Sequence, residues 1–76
     1  MIEFDLEVDA SGLQCPLPLL HLKKALLSVH SGAVLKIIAT DPAAHLDFGV
    51  FVQQAGHTML DVLKSNGQQI FYIQKR

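Results

Sequence analysis

Two prolines separated by one residue, Pro16 and Pro18, limit what the first quarter of this chain can fold into. Proline lacks a backbone N–H, so it disrupts strands and helix interiors but is tolerated in the first turn of a helix. A helix is therefore predicted over about residues 16–30, with Ser31-Gly32 as a typical end. Apolar residues at helical spacing form the stripe that should face the core: Leu19, Leu22, Leu26 and Val29, with Ala25 beside it.

Strand patterns precede and follow this helix. Residues 2–8 alternate between apolar and acidic side chains, which is typical of a half-buried strand. Residues 33–40 form a second strand pattern, with Leu35, Ile37 and Ala39 on one face.

The second half of the chain predicts one more helix and a hairpin. Asp41-Pro42 fits the N-cap and first position of a helix that continues to about Ala55 and stops at Gly56. Strands are predicted over residues 57–64 and 68–75. They should be joined at Ser65-Asn66-Gly67, because Asn-Gly favours a tight hairpin turn.

These elements predict an α/β fold, a two-layer α/β sandwich in β-α-β-α-β-β order. Two helices should pack on one face of a four-stranded mixed sheet, because so short a chain has no other layer to offer. Residues 1–76 are expected to form a single domain. Residues 70–73 are apolar on both faces of the last strand, so either loops cover the second face or a partner docks there.

Charge and hydropathy narrow the function classes. The chain has six Lys and Arg residues and seven Asp and Glu residues, and no run of basic residues is longer than two. Direct tight nucleic-acid binding needs clustered phosphate contacts and is not expected. The apolar runs are too short for membrane insertion, and no secretion leader is recognisable, so a cytoplasmic location is predicted.

The chain has one cysteine, Cys15. It therefore cannot form an internal disulfide, a CxxC redox pair or a thiolate zinc cage. Any thiol chemistry must involve a second molecule. The four histidines lack the spacing of a metal site, so neither a metal nor another cofactor is predicted; they are His21, His30, His45 and His57.

Cys15 lies where a loop becomes a helix, a position that can keep a thiol exposed and ionised. Gly12 permits the preceding turn. If Cys15 is the N-cap, the two prolines leave Leu17 as the only backbone donor near the sulfur, and no cation is adjacent in sequence. A moderate lowering of the thiol pKa is therefore expected, with the prolines holding the sulfur outward. The alternative is a buried, inert thiol.

The chain resembles the TusA/SirA/YedF family of small sulfur-carrier proteins, which share a Cys-Pro-x-Pro signature. The resemblance spans nearly the whole chain and is carried by Gly12-Leu13-Gln14-Cys15-Pro16-Leu17-Pro18, Lys23-Lys24-Ala25-Leu26, Ala39-Thr40-Asp41-Pro42, Asp47-Phe48, Gly56-His57 and Tyr72-Ile73-Gln74-Lys75. It implies the same two-layer fold and a catalytic role for Cys15, which would accept sulfane sulfur as a persulfide. The residues that would shape this site are Gly12, Pro16, Leu17 and Pro18.

The resemblance also implies partners. The donor would be a persulfide-bearing protein such as a cysteine desulfurase or a rhodanese-like protein, and the acceptor another sulfur-relay protein. The sulfur would serve tRNA thiolation, cofactor biosynthesis or sulfur and thiosulfate metabolism. Without a second cysteine, the chain fits a persulfide carrier better than a self-contained turnover enzyme.

Gln14 and Leu17 differ from the family member that serves tRNA thiolation, which typically has a basic residue before the cysteine and an acidic one between the prolines. Many relatives have a basic residue where this chain has Leu46. These three positions predict a more apolar rim around the sulfur. The other polar residues near the motif have simple structural interpretations. Asp41 fits an N-cap, Asp47 a solvated helix residue, and Lys23 and Lys24 a solvated helix face. A role in partner docking is the alternative for each.

A second function class remains open at this point. The chain would then be a non-catalytic regulatory or protein-interaction module that uses an exposed sheet face and carries an incidental thiol.

Overall fold

The computed structural model describes residues 2–76. Its elements in chain order are β1 (Leu6–Ala10), α1 (Leu17–Leu27), β2 (Val34–Ala39), α2 (Ala44–Ala55), β3 (Thr58–Ser65) and β4 (Gln68–Gln74). The predicted element order is confirmed.

The four strands form one mixed sheet in the order β1-β2-β4-β3. β1 and β2 are parallel, with Leu6 opposite Leu35 and Ala10 opposite Ala39. β4 is antiparallel to both β2 and β3. The parallel pair has the main consequence for function, because the loops that follow β1 and β2 leave the sheet at the same edge.

Both helices pack on one face of the sheet, as predicted. Leu35, Ile37 and Ala39, the face of β2 that was expected to be buried, are fully buried. From the predicted stripe of α1, Leu22 and Leu26 are buried. Phe48 of α2 meets Phe71 of β4 edge to face, with ring centroids 4.7 Å apart. The main members of this core are Leu22, Leu26, Leu35, Ile37, Phe48, Phe71 and Ile73.

The strand and helix interiors match the sequence prediction, but several ends do not. β1 begins at Leu6 rather than at residue 2. Asp5 explains this start, because its carboxylate accepts the Val34 N–H (2.8 Å) while its own N–H donates to the Val34 carbonyl. The side chain thus takes the place of a backbone partner at the end of the ladder.

α1 ends at Leu27, three residues before the predicted end. The Ser28 N–H and hydroxyl both donate to the Ala25 carbonyl, which closes the last turn. The Lys75 ammonium group then donates to the carbonyls of Leu26 and Val29, both at 2.7 Å. A lysine from the far end of the chain therefore replaces further helical hydrogen bonds.

The second face of the sheet is partly covered from within the chain. Tyr72 of β4 is buried, and the ring of Phe4 lies 6.4 Å from its ring. The ammonium group of Lys36 lies 5.2 Å from the centroid of Phe4. Local cover accounts for Tyr72, so this residue does not require a docked partner. Within residues 2–76, neither helix has the length and apolar character needed to cross a bilayer.

Candidate functional site at the strand ends

The loops after β1 and β2 meet at the carboxyl edge of the parallel pair. The Gly12 N–H donates to the Thr40 hydroxyl (2.8 Å), and the Cys15 N–H donates to the Asp41 carboxylate. Gly12 has a positive φ of 79°, which other residue types adopt at a cost, so the predicted turn is confirmed. These two hydrogen bonds fix the loop that carries Cys15 onto the loop that leads to α2.

Cys15 is exposed, as its position predicts. Residues 12–15 and 40–42 line an open pocket of ≈ 430 Å³ beside it. In open α/β sheets, ligands bind outside the carboxyl ends of strands, which is where this pocket lies. A second protein can therefore approach the sulfur without displacing the core.

Asp47 comes within hydrogen-bonding distance of the thiol. The Cys15 Sγ donates to Asp47 Oδ2 at 3.1 Å. Asp47 lies in the first turn of α2, where its backbone N–H donates to the Ala43 carbonyl. The prediction of a merely solvated Asp47 is therefore wrong. The sequence predicts the β-α-β order, but only the parallel pairing of β1 and β2 in the folded sheet brings the start of α2 beside the Cys15 loop.

The thiol pKa is raised rather than lowered. The hydrogen bond to Asp47 is the main cause, followed by desolvation and by the negative charges of Asp47 and Asp41. A nearby carboxylate disfavours a thiolate because like charges repel. The expectation of a lowered thiol pKa is wrong, and the free thiol is mainly protonated at neutral pH.

The start of α1 explains why the helix end does not offset this repulsion. The helix begins at Leu17, with Pro16 rather than Cys15 at the N-cap position. The Leu17 N–H, the expected donor to the sulfur, instead donates to the Gln14 carbonyl at 2.8 Å. Pro18 is buried and anchors the first turn, and the Cys15–Pro16 peptide bond is cis.

Exposed apolar residues follow the cysteine in sequence and flank Asp47 on α2. Leu17, two residues after the cysteine, is 44% exposed, and Leu46, just before Asp47, is 69% exposed. Val50, one turn further along α2, is also exposed. Leu46 and Val50 line a groove with Asp47. The pocket beside Cys15 instead includes Gln14, Thr40 and Asp41. The predicted apolar rim is therefore confirmed on the α2 side only.

Asp41 does not act as the N-cap, because α2 begins at Ala44. Its carboxylate instead accepts the N–H groups of Cys15 and Ala43, and its carbonyl accepts the N–H of Ala44 (3.0 Å). The Gln69 side-chain amide also donates to the Asp41 carbonyl. Asp41 is therefore the hydrogen-bonding centre of the two loops.

Within residues 2–76, the other polar residues considered from the sequence form no hydrogen bond with the Cys15 thiol. Lys23 is exposed, and its ammonium group lies 5.3 Å from the centroid of the Phe51 ring. His57 accepts the Arg76 N–H through Nδ1, and burial, together with the charges of Arg76 and Lys75, lowers its pKa. Across residues 2–76, no three His, Cys, Asp or Glu side chains form a group that could hold a metal ion.

Fold and site together define a class: a small two-layer α/β protein that presents one exposed thiol where the loop after its first strand enters a helix. Residues 6–75 match the family model described as sulfurtransferase TusA. The chain therefore belongs to the TusA family.

Individual relatives agree with this assignment. The chain is 47% identical over 75 residues to the sulfur carrier protein TusA of Allochromatium vinosum, covering 99% of each chain. It is 42% identical over 69 residues to a putative sulfur carrier protein of Neisseria meningitidis, covering 91% of this chain and 93% of the relative. The crystal structure of the SirA-like protein from Desulfitobacterium hafniense superposes with a TM-score of 0.82 at 25% identity, covering 92% and 96% of the two chains.

Proposed function

We propose that this chain is a sulfur carrier, a single domain in which Cys15 accepts sulfane sulfur as a persulfide and passes it to an acceptor protein. The observation that carries the proposal is the exposed Cys15 thiol in the pocket between the two strand-end loops. Membership of the TusA family over residues 6–75 supports it. In this proposal, Gly12 shapes the loop after β1 and Pro16–Pro18 shape the start of α1, and together they present the sulfur.

The chemistry is thiol–disulfide exchange on a persulfide. The Cys15 thiolate attacks the outer sulfur of a donor persulfide R–S–SH, and the S–S bond of the donor breaks as the new one forms. The products are the Cys15 persulfide and the donor thiol, so no external oxidant is needed. An acceptor thiolate then attacks the outer sulfur on Cys15 in the same way.

The partners follow from this cycle. The donor would be a cysteine desulfurase or a rhodanese-like protein, and the acceptor another protein of a sulfur relay. The exposed apolar residues Leu17, Leu46 and Val50 support docking by a protein surface, because exposed apolar side chains near a reactive group favour protein contacts. We place the cycle in the cytoplasm, where reducing conditions keep a lone thiol free.

Intact-mass measurement tests the proposal. The purified chain is incubated with a cysteine desulfurase and cysteine, and separately with polysulfide. We expect the mass to rise by one sulfur atom and to return to its starting value after treatment with a reductant. The Cys15→Ser variant keeps the fold, because the thiol is exposed, and should gain no sulfur.

Two results would contradict the carrier function. One is an unchanged mass with both sulfur sources while the thiol still reacts with an alkylating reagent. The other is equal sulfur uptake by the Cys15→Ser variant, which would assign the added sulfur to nonspecific binding.

A further inference from the structure

The fold holds both partners of the hydrogen bond between Cys15 and Asp47 in place. On the cysteine side, the Asp41 carboxylate holds the Cys15 N–H. On the other side, Asp47 lies next to Phe48, which is fully buried against Phe71 and so fixes the rotation of α2. The 3.1 Å contact between Sγ and Oδ2 therefore joins two anchored segments.

The charges around the sulfur all have the same sign. Asp41 belongs to the loop after β2 and Asp47 to α2, and both oppose ionisation of the thiol. From α1, Lys23 lines the same groove as Asp47, but its ammonium group is positioned over the Phe51 ring. Among the described residues, the one salt bridge joins Lys36 of β2 to Glu7 of β1. Asp41 and Asp47 therefore have no cationic partner within 4.0 Å in this part of the chain.

We propose that Asp47 is a positioning residue for sulfur transfer: its carboxylate holds Cys15 as an aimed, hydrogen-bonded thiol in the free carrier and so restrains ionisation of the nucleophile. This inference rests on the proposed carrier function. The raised pKa of the Cys15 thiol agrees with it. A free carrier restrained in this way reacts slowly with electrophiles that it meets by chance, because thiolate is the reactive form.

The proton can be followed through the step. The Sγ–H proton passes to solvent, a step that the Asp47 carboxylate disfavours, and the resulting thiolate attacks the outer sulfur of R–S–SH. The departing R–S⁻ takes up a proton, so the sum is Cys15–SH plus R–S–SH giving Cys15–S–SH plus R–SH. Asp47 ends in its starting state, which is why it positions the thiol and is not consumed.

The pH dependence of alkylation tests the inference without any sulfur transfer. Rates of reaction with iodoacetamide are measured from neutral to alkaline pH for the wild type, Asp47→Asn and Asp47→Ala. Both variants should move the midpoint to lower pH and raise the rate at neutral pH about threefold or more, because a like charge beside the thiol is removed. Asp47→Glu retains the charge and should keep part of the restraint.

Asp61→Asn is the matched control, because Asp61 is an exposed aspartate on β3 whose carboxylate accepts the adjacent Val62 N–H. Its alkylation profile should equal that of the wild type. An unchanged or higher midpoint in both Asp47→Asn and Asp47→Ala would overturn the inference. Circular dichroism of each variant separates this result from a loss of fold.

Sulfur loading from polysulfide distinguishes the inference from the function on which it rests. Faster loading of Asp47→Asn at neutral pH supports both. A shifted alkylation midpoint with no loading of any variant would retain the restraint by Asp47 and reject the carrier function. Normal sulfur loading with no shift in the alkylation midpoint would retain the carrier function and reject the restraint by Asp47.

Discussion

The two aspartates beside Cys15 have different physical roles although both lie near the sulfur. The Asp41 carboxylate accepts two backbone N–H groups, one from each side of the site, at Cys15 and Ala43. The Asp47 carboxylate accepts the thiol. Asp41 therefore contributes to the stability of the loops, whereas Asp47 acts on the reactivity of the sulfur.

Replacing each aspartate by asparagine should separate these roles. In Asp41→Asn one of the two carboxylate oxygens becomes an NH2 group, which cannot accept a backbone N–H. We expect the free energy of unfolding to fall by about 1 kcal/mol. Asp47→Asn should change it by less than about 0.5 kcal/mol, because no backbone group depends on that side chain. Urea unfolding of both variants measures the difference, and equal losses would contradict the division of roles.

At the scale of secondary structure, two glycines show how the same substitution, glycine to alanine, can stabilise one element and destabilise another. Gly49 lies inside α2 and is exposed, and a Cβ added there meets nothing within 4 Å. Gly67 forms the hairpin turn between β3 and β4 with Asn66, and both have positive φ values, 80° and 51°. A Cβ at Gly67 also meets open space. Only backbone conformation therefore distinguishes the two sites.

Alanine at these two positions should have opposite effects on stability. Gly49→Ala should raise the free energy of unfolding by about 0.5–1 kcal/mol, because alanine has the higher helix propensity. Gly67→Ala should lower it by about 1–2 kcal/mol, the cost of the left-handed conformation for a residue with a Cβ. Thermal unfolding of the two variants side by side measures both changes. Two shifts of the same sign would show that packing, and not the backbone, decides.

The sequence predicts the interiors of these elements better than their ends, and the reason is physical. Periodicity reports burial along one element, so the faces of β2 and the stripe of α1 were predicted correctly. Element ends depend on side chains from distant parts of the sequence. Asp5 starts the β1 ladder at Val34, and Lys75 takes carbonyls at the end of α1. No local pattern encodes those contacts.

The site divides in the same way. The position and exposure of Cys15 were predictable, because Pro16 and Pro18 mark the start of the helix and Gly12 marks the turn. The thiol's environment was not, because Asp47 is 32 residues away in sequence. Its neighbour Phe48 is buried in the core, and only the folded sheet brings α2 against the cysteine loop. The sign of the thiol pKa shift therefore required the tertiary structure.

At the scale of the whole molecule, the last strand ties the fold together. β4 lies between β2 and β3 and so joins the hairpin to the parallel pair that carries the site. Beyond its end, the Lys75 N–H donates to the Ala33 carbonyl, and the Gly32 N–H donates to the Lys75 carbonyl. The side chain of the same lysine reaches α1. One residue thus connects the C-terminal end of the sheet to the helix whose first turn follows Cys15.

Removing the Lys75 ammonium group should therefore weaken the whole fold and not only one helix end. Lys75→Met keeps most of the aliphatic chain but leaves the carbonyls of Leu26 and Val29 without their cationic donor. We expect the free energy of unfolding to fall by about 1–2 kcal/mol, because hydrogen bonds from charged groups exceed neutral ones in strength. Lys64→Met, at an exposed position on β3, is the control and should change it by less than about 0.5 kcal/mol. Urea unfolding followed by circular dichroism compares the two variants, and equal stability would show that the lysine contacts add nothing beyond the backbone pairing.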